Sequence, residues 1–221
     1  MNTTRSINKL KTILLGLLLT ICASSHASEN ANIHSLGQQL AVGDVVFIQV
    51  TPYPFQKVAS TTHSWVNHVG IVIDTSGTEP VIAESTFPFS KKTSFNKFIA
   101  RSDRGRVAVL RLNQRLTNDE KLSIRAESNK RMGVFYDTGF DLHSNGEFCS
   151  RFVREVITDS TGINVGEVET FRTLLDKTPK ADLTFWHIWY FGNIPWSRET
   201  VTPASLYRSA QLKTVFDGNA I

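Results

Sequence analysis

Cysteine is nearly missing from this chain: 221 residues contain two, Cys22 and Cys149. So few thiols exclude a scaffold stapled by several disulfides and a four-cysteine metal site. His and Cys residues show no short paired-ligand spacing, so no metal is expected, and a zinc site built from His63, His68 and Cys149 finds no support in the pattern. Internal repeats, low-complexity tracts and long Pro/Gly/Ser linkers are absent as well. The strongest apolar run, Thr12 to Ala23, falls short of the roughly 20 residues that cross a bilayer.

What that run does fit is an export signal. Arg5, Lys9 and Lys11 precede it, and small and polar residues ending Ser25-His26-Ala27 follow it. A charged start, a short apolar centre and a small-residue exit make a secretory signal peptide over residues 1–27, with a periplasmic or secreted product. Leu19-Thr20-Ile21-Cys22 resembles a lipidation box, but bulky Ile21 before the cysteine makes a lipoprotein the second choice. The formal net charge is +4, and losing the three leader cations brings it to +1. A charge so near zero offers nucleic acid no electrostatic grip.

Cleavage there leaves Cys149 as the sole thiol of an exported chain. Under oxidising conditions a lone cysteine is either buried and inert or kept for its reactivity.

Residues 28–221 read as one domain, beginning with a polar, loose lead-in over 28–39. Four β segments follow, at Val45–Val50, Val69–Ile73, Val81–Ser85 and Val107–Leu112. The pattern then turns helical. Thr117 with Glu120 three residues on forms a capping box for a helix to about Arg131. A second helix opens near Cys149, carrying Phe152, Val153, Val156 and Ile157, and stops at Gly162. Val168, Phe171, Leu174 and Leu175 suggest a third helix, ended by Pro179. The aromatic-rich C-terminal portion, about 166–221, is otherwise irregular. Strands before helices argue for an α+β domain with a mostly antiparallel sheet packed against helices.

Cys149 sits at the start of its helix, where unpaired N–H groups and the positive dipole end favour a thiolate and can hold an oxyanion. Among the histidines, His68 opens an apolar strand and can be held in one orientation, whereas His143 lies in a polar loop. Residues 69–73 and 81–84 form a hairpin by default. If Asp74 pairs with Thr78, His68 faces Glu84 directly; if Ile73 pairs with Val81, the two are diagonal neighbours. Either register puts them on one strand face, where a carboxylate orients an imidazole. A solvated strand glutamate is the plain alternative. Asp44 reads as a turn cap, and Tyr136 either packs or lines the cleft and donates to an oxyanion.

Gly43-Asp44, Asn67-His68-Val69-Gly70-Ile71, Ala83-Glu84 and Phe148-Cys149-Ser150, in that order, resemble the circularly permuted NlpC-type papain-like cysteine hydrolases, the YiiX/YebB-like group. The likeness continues through Tyr136-Asp137-Thr138-Gly139-Phe140 and into Thr200-Val201-Thr202-Pro203-Ala204-Ser205. It implies a papain-like core with Cys149 as nucleophile, His68 as base and Glu84 as orienting group. It also implies cleavage of an amide or ester bond through a thioester, without a cofactor. Arg151 stands where relatives often carry an acid. Cell-wall peptide amides and lipid-type acyl groups are both admissible substrates. An acyltransferase on the same triad and a non-catalytic binding domain are the rival functions.

Overall fold

A computed structural model describes residues 29–179 and 181–220; the segment 1–27, expected from the sequence to be a signal peptide, lies outside them. In chain order the elements are β1 (Glu29–Ala31), α1 (Ile33–Gln38), β2 (Val45–Val50), α2 (Tyr53–Thr61), β3 (His68–Asp74) and β4 (Val81–Glu84). Next come β5 (Lys91–Ser94), α3 (Phe95–Ile99), β6 (Ser102–Leu112), α4 (Asn118–Lys130) and α5 (Cys149–Thr161). The chain finishes with β7 (Val168–Thr170), α6 (Phe171–Asp176), α7 (Leu183–Trp189), β8 (Glu199–Val201), α8 (Pro203–Tyr207) and β9 (Leu212–Ala220).

Seven strands form one sheet in the order β1-β9-β6-β2-β3-β4-β5, antiparallel except where β1 meets β9. Both faces of its centre are covered, so Val45–Ile48 of β2 and Val69–Ile73 of β3 read as apolar runs without alternation. On one face α4 and α5 pack Ile124, Phe152, Val153 and Val156 against Val69, Ile71 and Ala83. On the other, Leu36 of α1 and Phe95 and Phe98 of α3 cover Val46, Ile48, Val72 and Ile82. A third cluster of Phe171, Leu175, Trp186 and Ile194 ties α6 and α7 together.

The capping box at Thr117 and Glu120 is present, and α5 ends at Gly162 in the left-handed conformation its cap requires (φ 72°). Several expectations need correction. The lead-in is not loose: Asn32 caps α1, and α1 buries Leu36 against the sheet. The third helix begins later, because Val168–Thr170 pairs with Glu199–Val201 as a strand. The irregular C-terminal portion supplies β9, which pairs along β6 from Arg106 to Leu112. Lys213-Thr214 and Asp217-Gly218-Asn219 break up the apolar residues of Leu212–Ala220 and hid that strand, since tertiary pairing and not composition makes it.

The β3–β4 register has Ile71 opposite Ala83 and Val72 opposite Ile82, then slips through a bulge to Asp74 opposite Val81. The unslipped part is the second of the two hairpin registers, with His68 diagonal to Glu84. Gly70 lies between them, and a Cβ there would come within 2.5 Å of Ile82 Cγ2 and 3.0 Å of Phe98 Cε2. Gly70→Ala is therefore expected to overpack the sheet, costing about 1–3 kcal/mol, which urea denaturation of the variant measures.

Candidate active site

Three elements converge at the end of the sheet. His68 is the first residue of β3, Glu84 the last of β4 and Cys149 the first of α5. Strand alternation places His68 and Glu84 on the face of Val72 and Ile82, while α5 packs on the opposite face. They meet because each stands at the terminus of its element.

Glu84 is wholly buried, and a buried carboxylate is tolerable only when its oxygens are occupied. Its Oε2 lies 2.6 Å from His68 Nε2, Thr93 Oγ1 donates to Oε1 at 2.6 Å, and Arg101 Nη2 donates to Oε1 and Oε2 at 2.8 and 2.7 Å. Burial alone would raise the Glu84 pKa; the His68 hydrogen bond and charge, with Arg101 and Thr93, instead hold it at about 2. An ionised carboxylate only accepts, so Nε2 carries a proton and Nδ1 is left for the thiol. Burial would likewise deprotonate His68, yet hydrogen bonds to Cys149 and Glu84 and their negative charge raise it to about 9. Phe98 braces this pair, with the His68 ring 5.6 Å and the Arg101 guanidinium 5.0 Å from its centroid.

Local sequence explains how the residues are held. Asn67 hydrogen-bonds both backbone groups of Val50, accepting at 2.7 Å and donating at 2.9 Å, and so fixes the entry to β3. Ser85 Oγ donates to the Glu147 carbonyl at 2.9 Å and Ser150 Oγ to the Val201 carbonyl at 2.8 Å, tying the start of α5 to β4 and β8. Phe148 precedes the helix and has no side chain able to cap it, so the first N–H groups of α5 stay open. Arg151 anchors the loop before the nucleophile, donating to the carbonyls of Ser144 and Gly146, each at 2.8 Å.

Tyr136 is buried beside the Cys149 thiol and backbone amide, and its hydroxyl has no hydrogen-bond partner among the described residues. Burial, reinforced by the neighbouring Cys149, pushes its ionisation well above the usual tyrosine range, so it remains an O–H donor. Glu147, just before the helix, is lifted to about 7 by burial and by its neighbour Glu155, with Arg131 and Arg151 opposing the shift.

The structure thus brings Cys149, His68, Glu84 and Tyr136 together. It leaves His143 exposed on Glu199, 2.8 Å away, and spends Asp44 on the Ala41 amide and on Arg111. Thr93 and Arg101 were not singled out by sequence reasoning, and Asn67 entered only as part of the His68 motif. Arg101 and Thr93 reach Glu84 only through the sheet and the turn after α3, and no local spacing marks them.

A model of the family described as "permuted papain-like amidase enzyme, YaeF/YiiX, C92 family" matches residues 39–216. The chain belongs to this family. Its members are amidase-type cysteine hydrolases by description, and the His, Glu, Cys order along the chain is the permuted one. The uncharacterized protein YiiX of Escherichia coli (strain K12) is 24% identical over 177 residues, 80% of this chain and 86% of the relative. A crystal structure described as metalloprotein yiiX from Escherichia coli O157:H7 shares the fold, with a TM-score of 0.75 and 23% identity over 81% of this chain and 98% of that one. Among the described residues no three His, Cys, Asp or Glu side chains are grouped to hold a metal ion. Glu84 is already saturated by Thr93, Arg101 and His68, which leaves it no oxygen to offer a metal.

The two ionisations set a pH window. His68, raised from 6.5 to about 9, adds stability that is complete below about 6.5 and lost as pH climbs through 9. Glu84, lowered from 4.5 to about 2, adds stability present above about 4.5 and lost as pH falls through 2. The imidazole NMR signal of His68 should therefore titrate near 9. Glu84→Gln or Cys149→Ala should each move it down by removing a raising partner; an unmoved titration would separate His68 from both.

Proposed function

We propose that this protein cleaves an amide or ester bond through a thioester on Cys149, outside the cytoplasm. The observation that carries the reading is the hold of buried Glu84 on His68 Nε2 at 2.6 Å, with Cys149 beside the same imidazole and raising its pKa. His68 takes the thiol proton, and Sγ attacks the substrate carbonyl carbon. The oxyanion is received by the Tyr136 hydroxyl and the Cys149 N–H at the uncapped start of α5. Collapse breaks the C–N or C–O bond, and His68 delivers its proton to the departing amine or alcohol. Water, deprotonated by His68, then attacks the thioester. The acid departs and the thiol is restored.

Tyr136 supports this account because a buried hydroxyl without a partner costs about 1–3 kcal/mol, a cost relieved when an oxyanion accepts from it. Glu84 acts through His68 as a positioning residue, holding the tautomer and opposing the positive charge of the imidazolium. Export rests on residues 1–27, and an exported hydrolase meets both cell-wall peptides and lipids.

The variants separate these roles. Cys149→Ala should abolish turnover of acyl esters and peptide amides while leaving the circular dichroism spectrum unchanged; full activity in a folded variant would sink the reading. Iodoacetamide should label Cys149 rapidly at pH 6 in the wild type and slowly in His68→Ala. Tyr136→Phe should lower kcat by about 10²–10³-fold with KM little changed, as loss of an oxyanion donor requires. For export, intact mass of protein from the periplasm or medium should correspond to a chain starting at Ser28, and full-length soluble product would remove that part of the proposal.

A further inference from the structure

Arg101 lies outside the residues that carry the chemistry, yet its geometry ties it to them. It stands in the turn between α3 and β6, and its Nη2 spans both oxygens of Glu84, 2.8 Å from Oε1 and 2.7 Å from Oε2. A guanidinium that grips a carboxylate by shape uses two nitrogens in a parallel fork; here one nitrogen makes both contacts. Arg101 Nε is instead buried without a hydrogen-bond partner among the described residues. A buried donor left unpaired is costly, so the placement secures a positive charge on Glu84 rather than a satisfied guanidinium. Phe98 sets the spacing, with the Arg101 guanidinium 5.0 Å and the His68 ring 5.6 Å from its centroid.

The charged groups in contact with Glu84 are His68 from β3 and Arg101, while β5 supplies the neutral Thr93 hydroxyl. Lys91, opposite Glu84 in the β5 register, is exposed. On its other side His68 meets Cys149 of α5, with Tyr136 beside that thiol. A buried carboxylate with no other cation would hold the imidazolium so firmly that His68 released its proton poorly, and a general acid works best with a pKa near the operating pH. A second cation on the same carboxylate divides that pull. We propose that Arg101 is a positioning residue for catalysis: by sharing the charge of Glu84 it keeps His68 acidic enough to protonate the leaving group and keeps Glu84 ionised in acid. This rests on the acid–base role given to His68 above, and it acts through Glu84, the residue Arg101 touches.

Removing a positive charge raises the pKa of each acid near it. Arg101→Gln should therefore move the NMR titrations of the His68 imidazole and the Glu84 carboxyl of the full purified protein upward together, Glu84 by about 1–3 units. For His68 that is opposite in sign to Glu84→Gln. Arg101→Lys keeps the charge and should restore both titrations. In the Glu84→Gln background Arg101→Gln should add no upward shift, because the residue it acts through is already neutral. Phenoxide needs a proton on departure more than p-nitrophenoxide does, so Arg101→Gln should slow phenyl acetate at least about threefold more than p-nitrophenyl acetate. Arg101→Met takes the place of Arg101→Gln should the latter fold poorly. A His68 titration that stays or falls in a folded uncharged variant overturns the inference, as does an equal shift in Arg101→Lys, which would make packing the cause. A wild type with neither rapid alkylation of Cys149 by iodoacetamide nor turnover of either ester would overturn the hydrolase reading instead, whatever the titrations do.

Discussion

The buried charge of Glu84 is the constraint around which the site is organised. A carboxylate removed from water survives only if its oxygens find donors, and here they come from three separate parts of the chain: His68 on β3, Thr93 on β5 and Arg101 after α3. Each donor gains a fixed position in return. His68 in particular is left with one ring orientation and one nitrogen for the thiol, so what stabilises the carboxylate also aims the base.

On the other side of the sheet end the opposite rule applies. Where Glu84 is saturated, the start of α5 is left open: Phe148 offers no cap, and the nearby Tyr136 hydroxyl has no partner. Unsatisfied donors in a protein interior are costly and therefore uncommon. The Tyr136 hydroxyl and the uncapped start of α5 stand together beside one thiol, which gives the region the electrostatics of an acyl-transfer site. Asn67, Ser85 and Ser150 hold the surrounding backbone, so this openness does not loosen the fold.

Much of this was legible before any coordinates. The four expected β segments are strands, the capping box is made, and the Cys149 thiol stands at a helix N-terminus. The α+β class and the permuted papain-like family follow from the same residues. What failed was local composition applied to non-local pairing. Val168–Thr170 looked helical because apolar residues at helical spacing follow it, and Leu212–Ala220 looked irregular because polar residues interrupt it; both are strands only through the partners they find. The polar lead-in became β1 and α1 by the same route, through β9 and the sheet face that Leu36 covers.

The sequence by itself determined the reactive inventory: Cys149 at a helix start, a histidine at a strand start and a glutamate with the same face periodicity. Those are properties of short segments, governed by capping, alternation and turn chemistry. Tertiary structure alone decided the rest. It chose between the two hairpin registers, brought Thr93 and Arg101 to Glu84, and walled the thiol with α2, α6 and α7. These are contacts between residues distant along the chain, and their geometry is set by how sheet and helices pack, which no local pattern encodes.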